Sequence, residues 1–156
     1  MIHRTSSERI NQILRNGLMT DMGLNMTDCG VWSHVWYGKN PIFLANPNAR
    51  FLEDMPGGEF EVIVDVTGLD LVADLPSLCD IGGHVDDGII WWKEGREPPE
   101  LLPFLDEDGG IEIEYLIDSG TDVCRAAIAV TRTAACLSHI PPDRITMRME
   151  PQPLAP

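Results

Sequence analysis

Residues 60–66 alternate apolar and acidic side chains for much of their length, which is typical of a β-strand with one buried and one solvated face. Glycine-containing pairs precede this segment at 57–58 and follow it at 67–68, and such pairs commonly end regular structure. Short apolar runs predict further strands at residues 1–5, 42–45, 89–92, 111–117, 126–131, 134–140 and 145–149. A chain with this many short, turn-separated strands is expected to fold around antiparallel sheets.

A helical pattern occurs near the start of the chain. Ile10, Ile13 and Leu14 fall at helical spacing, and Gly17 can adopt the left-handed conformation that ends many helices. Residues 19–40 and 69–87 show no clear period and are predicted to be irregular. The predicted fold is a small α+β domain with split, mostly antiparallel β-sheets and an N-terminal helix. The length of 156 residues suits one domain, predicted over residues 1–150, with residues 151–156 as a C-terminal tail.

Acidic residues are concentrated in the middle of the chain. The net charge is −14, but residues 51–124 alone carry −18, whereas residues 1–50 and 125–156 carry +2 each. Phosphate-binding proteins need a basic footprint, so this distribution disfavours a nucleic-acid partner except in a cleft formed by the two chain ends. It favours a basic protein or a small molecule, unless the excess acid serves solubility alone.

The four cysteines lack paired spacing, which favours reduced thiols and a cytoplasmic location. No window approaches the ~18 consecutive apolar residues of a membrane span, so no membrane association is expected. Cys29 and His34 share the spacing of Cys79 and His84, and the four could ligate a structural zinc ion. That spacing is not a common zinc signature, so buried, unreactive cysteine is the simpler interpretation and no metal site is predicted.

The sequence contains no Gly-x-Gly-x-x-Gly fingerprint and no Walker phosphate loop. Its first residues instead resemble the ADP-ribosyltransferase superfamily, in which a strand ending in His-Gly-Ser/Thr precedes a helix with an Ile-Leu-x-x-Gly-Leu-like end. Here His3, Arg4 and Thr5 precede Ile-Leu-Arg-Asn-Gly-Leu at residues 13–18. The resemblance implies NAD as co-substrate, with His3 on the adenosine ribose, the Arg4 backbone on the nicotinamide amide and the Thr5 hydroxyl assisting. Arg4 replaces the usual glycine.

A second segment carries the same resemblance. Residues 38–45, Gly-Lys-Asn-Pro-Ile-Phe-Leu-Ala, are similar to the Gly-Lys-Gly-Ile-Tyr-Phe-Ala segment of poly(ADP-ribose) polymerase-like members. The similarity implies that Phe43 and Ala45 line the nicotinamide pocket and that Phe51 stacks on the nicotinamide ring. An aromatic ring without a polar tip suits that role.

The third expected element is incomplete. Most active transferases of the superfamily place a glutamate at the start of the penultimate strand, where it stabilises an oxocarbenium-like transition state. Residues 131–137 contain no carboxylate, and the nearest upstream glutamate predicted on a strand is Glu114. RNA 2′-phosphotransferases manage without that glutamate and use basic residues, which would make Arg132 a phosphate contact. Glu114 and Arg132 are therefore the predicted catalytic residues.

These patterns leave two classes of function open. The first is NAD-dependent transfer of ADP-ribose to a protein or small-molecule acceptor, or an RNA 2′-phosphotransferase-like reaction. The second is an acidic binding or inhibitor protein on a degenerate transferase scaffold, with residues 51–124 facing a basic partner.

Overall fold

A computed structural model describes residues 1–6, 8–20, 35–47 and 60–147 of the chain. The strands are β1 (Ile2–Thr5), β2 (Ile42–Ala45), β3 (Phe60–Val64), β4 (Leu71–Ala73), β5 (His84–Asp86), β6 (Ile89–Trp91), β7 (Gly110–Glu112), β8 (Thr133–Cys136) and β9 (Ile145–Met147). The α-helices are α1 (Ile10–Asn16), α2 (Leu75–Asp80), α3 (Ile113–Leu116) and α4 (Asp122–Thr131), and 3-10 helices span Pro99–Phe104 and Pro142–Arg144.

Within the described ranges, the main sheet has six strands in the order β4-β8-β2-β1-β3-β9, and a second sheet has the order β5-β6-β7. Every described pairing between these strands is antiparallel. The α+β class with antiparallel sheets, predicted from the short strands, is therefore confirmed. In the described part of the chain, no helix is long and apolar enough to cross a membrane.

The main sheet is split near its middle. The register joins β1 to β2 through one residue pair, Ile2 with Ala45, whereas β1 pairs with β3 along its whole length. The sheet thus consists of two halves, β4-β8-β2 and β1-β3-β9, that meet at this pair and diverge beyond it. We call the space between the diverging ends of β1 and β2 the central gap.

One face of the main sheet, the α1 face, packs against α1. Ile10 and Ile13 of that helix lie over apolar side chains of β2, β3, β8 and β9. The helix ends at Gly17, whose φ of 85° and ψ of −174° suit a residue without a Cβ but differ from the left-handed helical closure predicted for it. Leu18 and Ile140 then exchange backbone hydrogen bonds of 2.9 and 2.8 Å, which fix the chain against the sheet.

The opposite face, the α4 face, packs against α4. The Thr121 hydroxyl accepts a hydrogen bond from the Cys124 amide at 3.2 Å and caps the start of this helix. Val123, Cys124 and Ala127 are buried on one stripe of the helix. They pack in the same apolar core as β4, β8 and the second sheet, β5-β6-β7, which we call the small sheet. The helix therefore covers the β4-β8 side of the sheet, while Ile63 on β3 stays 43% exposed on the same face.

Three predictions of local structure are wrong. Residues 126–131 belong to α4 rather than to a strand, because Thr121 caps a helix and the small side chains after it form a helical stripe. Residues 69–87 contain β4, α2 and β5 rather than irregular chain. Of the strand predicted at 111–117, only the start belongs to β7, since the chain turns into α3 at Ile113.

Candidate functional site

His3 on β1 reaches across the central gap to β2. Its Nδ1 lies 2.9 Å from the carbonyl oxygen of Phe43. A carbonyl oxygen can only accept a hydrogen bond, so Nδ1 carries the proton and Nε2 of the neutral ring carries a lone pair. Burial lowers the pKa of His3, the bond to Phe43 opposes that shift, and the positive charge of Arg9 adds to it. The ring is therefore neutral near pH 7, with Nε2 as a hydrogen-bond acceptor.

The peptide groups of Arg4 point towards the central gap. Met1 and Val64 exchange backbone hydrogen bonds of 3.2 and 2.8 Å, so the ladder between β1 and β3 uses Met1, His3 and Thr5. In an antiparallel ladder, alternate residues direct their N–H and C=O groups to opposite neighbours. Those of Arg4 therefore face β2, at the level where β2 has diverged.

The predicted cofactor residues divide between the two sheet faces. Phe43 and Ala45 lie on the α4 face, as their register with Ala135 and Thr133 shows, and Arg4 lies on that face as well. The Arg4 Nε is 3.9 Å from a carboxylate oxygen of Glu61.

His3 and Thr5 alternate with Arg4 along β1, and their side chains therefore lie on the α1 face. Thr5 is 3% exposed there, on the opposite side of the sheet from the Phe43 ring. A ligand that contacts all of the predicted residues has to enter the central gap.

Phe43 is held by a buried tyrosine. The Tyr37 and Phe43 rings meet edge to face, with centroids 6.4 Å apart and an interplanar angle of 71°. The Tyr37 hydroxyl donates to the Ala73 carbonyl at 2.6 Å and accepts from the Leu75 amide at 2.7 Å. Tyr37 thereby ties the chain before β2 to the end of β4.

A pocket of about 380 Å³ lies where β1 begins and β2 ends, and this volume is near the lower limit for ligand pockets. Its lining comprises Met1, Asn46, Ile128, Ala129 and Arg132. Arg132 ends α4 with a φ of 59°, and its carbonyl accepts a hydrogen bond of 2.8 Å from the Asn46 amide. The predicted catalytic arginine therefore lies beside Asn46, immediately before β8, the last but one of the described strands.

Glu114 is not on a strand and not on the main sheet. It lies in α3, directly after the small sheet, because the chain turns into a helix at Ile113. Its carboxylate is exposed and raises the pKa of the neighbouring Glu112, chiefly through a hydrogen bond between the two side chains. Nothing in the described contacts brings Glu114 to His3 or Phe43, so its predicted catalytic role has no structural support.

Two predictions fall wholly or partly outside the described residues. Phe51, the predicted stacking residue, lies there, as do Cys29 and His34 of the possible zinc set. Within the described ranges, no group of three or more histidine, cysteine or acidic side chains could hold a metal ion. The cysteines in those ranges, at 79, 124 and 136, are free thiols.

Sequence patterns missed a buried polar cluster next to this site, which consists of Tyr37, Asp74, Ser77 and Thr133. Asp74 is 4% exposed and Thr133 is 3% exposed. The Asp74 carboxylate accepts from the Ser77 amide at 3.0 Å and from the Ser77 hydroxyl at 2.8 Å. Asp74, Leu75, Pro76 and Ser77 form a helix-start pattern that could have revealed this cap.

Comparisons of the chain with protein-family models, curated proteins and solved structures found no match.

Proposed function

We propose that this chain transfers ADP-ribose from NAD to an acceptor, which is a basic protein or a small molecule. The observation that carries the proposal is the central gap in the main sheet. His3, Arg4 and Phe43 border it and Ala45 lies at the pair that closes one end, and these are four of the six residues that the superfamily resemblance assigns to NAD.

Each of these residues offers a contact that suits part of NAD. The Arg4 peptide faces the gap and would donate to and accept from the nicotinamide carboxamide. Phe43 and Ala45 would form an apolar wall on the α4 face for the nicotinamide ring. The Nε2 lone pair of His3 would accept a hydrogen bond from a ribose hydroxyl.

Arg132 supports the proposal from the neighbouring pocket. Its guanidinium is suited to the pyrophosphate of NAD, because arginine presents several donors in a planar fork. In the reaction, the bond between ribose C1′ and the nicotinamide nitrogen breaks, and its electron pair leaves with nicotinamide. An acceptor N–H or O–H, or water, then bonds to C1′ and releases its proton.

The test is nicotinamide release from NAD by the purified protein, alongside a direct measurement of NAD binding. His3→Asn is the informative variant, since asparagine can still donate to the Phe43 carbonyl but has no counterpart of Nε2. We expect release by the wild type and a loss of roughly tenfold or more in His3→Asn. His139→Asn is the matched control, because His139 is exposed and lies outside the central gap.

Absence of both NAD binding and nicotinamide release in the wild type would refute the proposal. Equal release by His3→Asn and wild type would keep the activity but remove His3 from it. Binding without release would indicate a scaffold that has lost its chemistry.

A second candidate function is the binding of a basic protein, and it rests on the exposed carboxylates around the small sheet. Asp86 ends β5, Asp87 follows it in the turn to β6, and Asp106, Glu107 and Asp108 precede β7; all five are exposed. Such a surface suits a basic protein partner, whose binding would weaken steeply with salt. Replacement of residues 106–108 by their amides should abolish that binding, whereas His3→Asn should leave it unchanged.

A further inference from the structure

One face of the small sheet points away from the apolar core. Ile90 and Ile111 are buried in that core, so the residues that alternate with them along the strands lie on the opposite, outer face. The register places on this outer face His84 and Asp86 of β5, Ile89 and Trp91 of β6, and Gly110 and Glu112 of β7. The three titratable side chains of this set are exposed, and Trp91 is half-buried. The outer face is therefore accessible and has an aromatic residue on its central strand.

The indole of Trp91 lies across this face. Trp91 pairs with Gly110 on β7, and a Cβ atom at Gly110 would be 2.9 and 3.0 Å from two carbons of the six-membered ring. The ring therefore covers the Gly110 backbone, which is buried although the residue has no side chain. An indole that extends over the neighbouring strand turns one π face towards the backbone and the other outward. Glycine at position 110 makes this arrangement possible.

Carboxylates lie around the part of the indole that covers β7. Glu112 follows Gly110 by two residues on the same face of the strand, and the Asp106 carboxylate accepts a hydrogen bond of 3.0 Å from the Gly110 amide. The pKa of Glu112 is raised, chiefly by a hydrogen bond to the Glu114 side chain, and the charge of Asp106 adds to the shift. None of the ion pairs among the described residues includes these carboxylates. Like charges are thus gathered beside the ring without a cation from this part of the chain.

Charge and shape favour one kind of ligand for this face. The outward π face of an indole attracts cations, and nearby carboxylates strengthen that attraction. The described side chains form no cluster that could hold a metal ion, which favours an organic cation. Residues 84–114 contain ten acidic and two basic residues, so a partner has to supply most of the positive charge. Arginine suits the face better than lysine, because a planar guanidinium can stack on a ring while its edge donates to a carboxylate.

We propose that the outer face of the small sheet binds an arginine side chain of a basic protein. The guanidinium stacks on Trp91 and donates hydrogen bonds to Glu112, while Asp106 and Glu114 add negative charge around it. This inference rests on the second candidate function, the binding of a basic protein, and identifies the residues that recognise such a partner. It does not depend on NAD or on the central gap.

The test uses an oligoarginine peptide and an oligolysine peptide of equal length, with binding measured by calorimetry at low and at physiological salt. We expect the wild type to bind the arginine peptide several-fold more tightly than the lysine peptide. Trp91→Ala should weaken arginine-peptide binding by roughly fivefold at both salt concentrations, because salt screens stacking little. Glu112→Gln should weaken it by about threefold at low salt and by less at physiological salt.

Glu8→Gln is the matched control for Glu112→Gln. It also removes one exposed carboxylate, but Glu8 lies just before α1, which packs on the α1 face of the main sheet. We expect this variant to bind the arginine peptide within about 1.5-fold of wild type. Thermal unfolding shows whether each variant is folded.

The outcomes separate the inference from the second candidate function. If the wild type binds the arginine peptide and folded Trp91→Ala binds it within about 1.5-fold as tightly, the role of Trp91 is overturned while binding of a basic partner stands. If the wild type binds neither peptide at low salt, both are overturned. If Trp91→Ala does not fold, the contrast between Glu112→Gln and Glu8→Gln decides, and equal affinities of these two refute the inference.

Discussion

The imidazole of His3 donates a hydrogen bond of 2.9 Å from Nδ1 to the carbonyl oxygen of Phe43, across the place where β1 and β2 separate. A side chain thus spans the gap that the backbone ladder leaves between the two halves of the sheet. The bond makes His3 part of both the fold and the candidate site.

The stability of the protein should fall in mild acid because of His3. Burial lowers the folded-state pKa of this residue below 6.5, so its stabilising contribution is present above pH 6.5 and is lost as the pH falls through the folded-state pKa. Urea unfolding at pH 7.5 and 5.5 should show the wild type losing stability relative to His3→Asn, by ~1.4 kcal/mol for each unit of pKa lowering. The exposed His139→Asn should track the wild type at both values. A pH-independent difference between wild type and His3→Asn would contradict the prediction.

Tyr37→Phe should destabilise the protein by about 1–3 kcal/mol. The substitution removes the hydroxyl that bonds the Ala73 carbonyl and the Leu75 amide and leaves both buried groups without that partner. Denaturant unfolding gives the difference directly. Tyr115→Phe is the matched control, because Tyr115 is 49% exposed and should change stability little. Equal effects of the two substitutions would show that the Tyr37 hydroxyl bonds are not important for stability.

Asp74→Asn should gain stability relative to the wild type as the pH rises from about 3.5 to 7. Burial raises the pKa of this carboxyl, so its contribution to stability is present at low pH and is lost as the pH rises through the folded-state value. Asp65→Asn should show the opposite trend, because the Thr67 backbone amide lowers the pKa of Asp65. Parallel pH profiles for the two variants, measured by thermal unfolding, would contradict the opposite pKa shifts of Asp74 and Asp65.

Gly17→Ala should be much more destabilising than Gly68→Ala. Both glycines have positive φ, 85° and 76°, so each substitution carries a backbone cost of about 1–3 kcal/mol. At Gly17 the added methyl group also meets the carbonyl of Ile140, whereas at Gly68 nothing lies within 4 Å. We expect the Gly17 variant to lose at least about 2 kcal/mol more. Similar melting temperatures for the two variants would rule out this close approach.

Sequence patterns predicted correctly those strands and helices that are determined by their own residues. The strand of residues 60–64 and the helix that ends at Gly17 are where alternation and helical spacing placed them. The helix at 122–131 was missed, and its second half was predicted as a strand, because Val130 and Thr131 favour strands when taken alone and the cap at Thr121 lies several residues away.

The candidate site was predictable only as a set of separate segments. Motif resemblance selected His3 and Phe43, which the sheet does bring together. Asp74 and Thr133 lie far apart in sequence, and they become neighbours only through the pairing of β4 with β8. Glu114 was selected as the nearest upstream glutamate of a predicted strand, and the turn into α3 at Ile113 removes it from the main sheet.

The order of strands in the main sheet also has a consequence for how the chain folds. β8 lies between β2 and β4, so residues 42–45 gain their partner on that side only from residues 133–136. Pairings this distant in sequence slow folding, because a long loop must close before they form. During synthesis, β2 and β4 therefore present open edges until β8 has left the ribosome, and over this interval the nascent protein is most prone to aggregate.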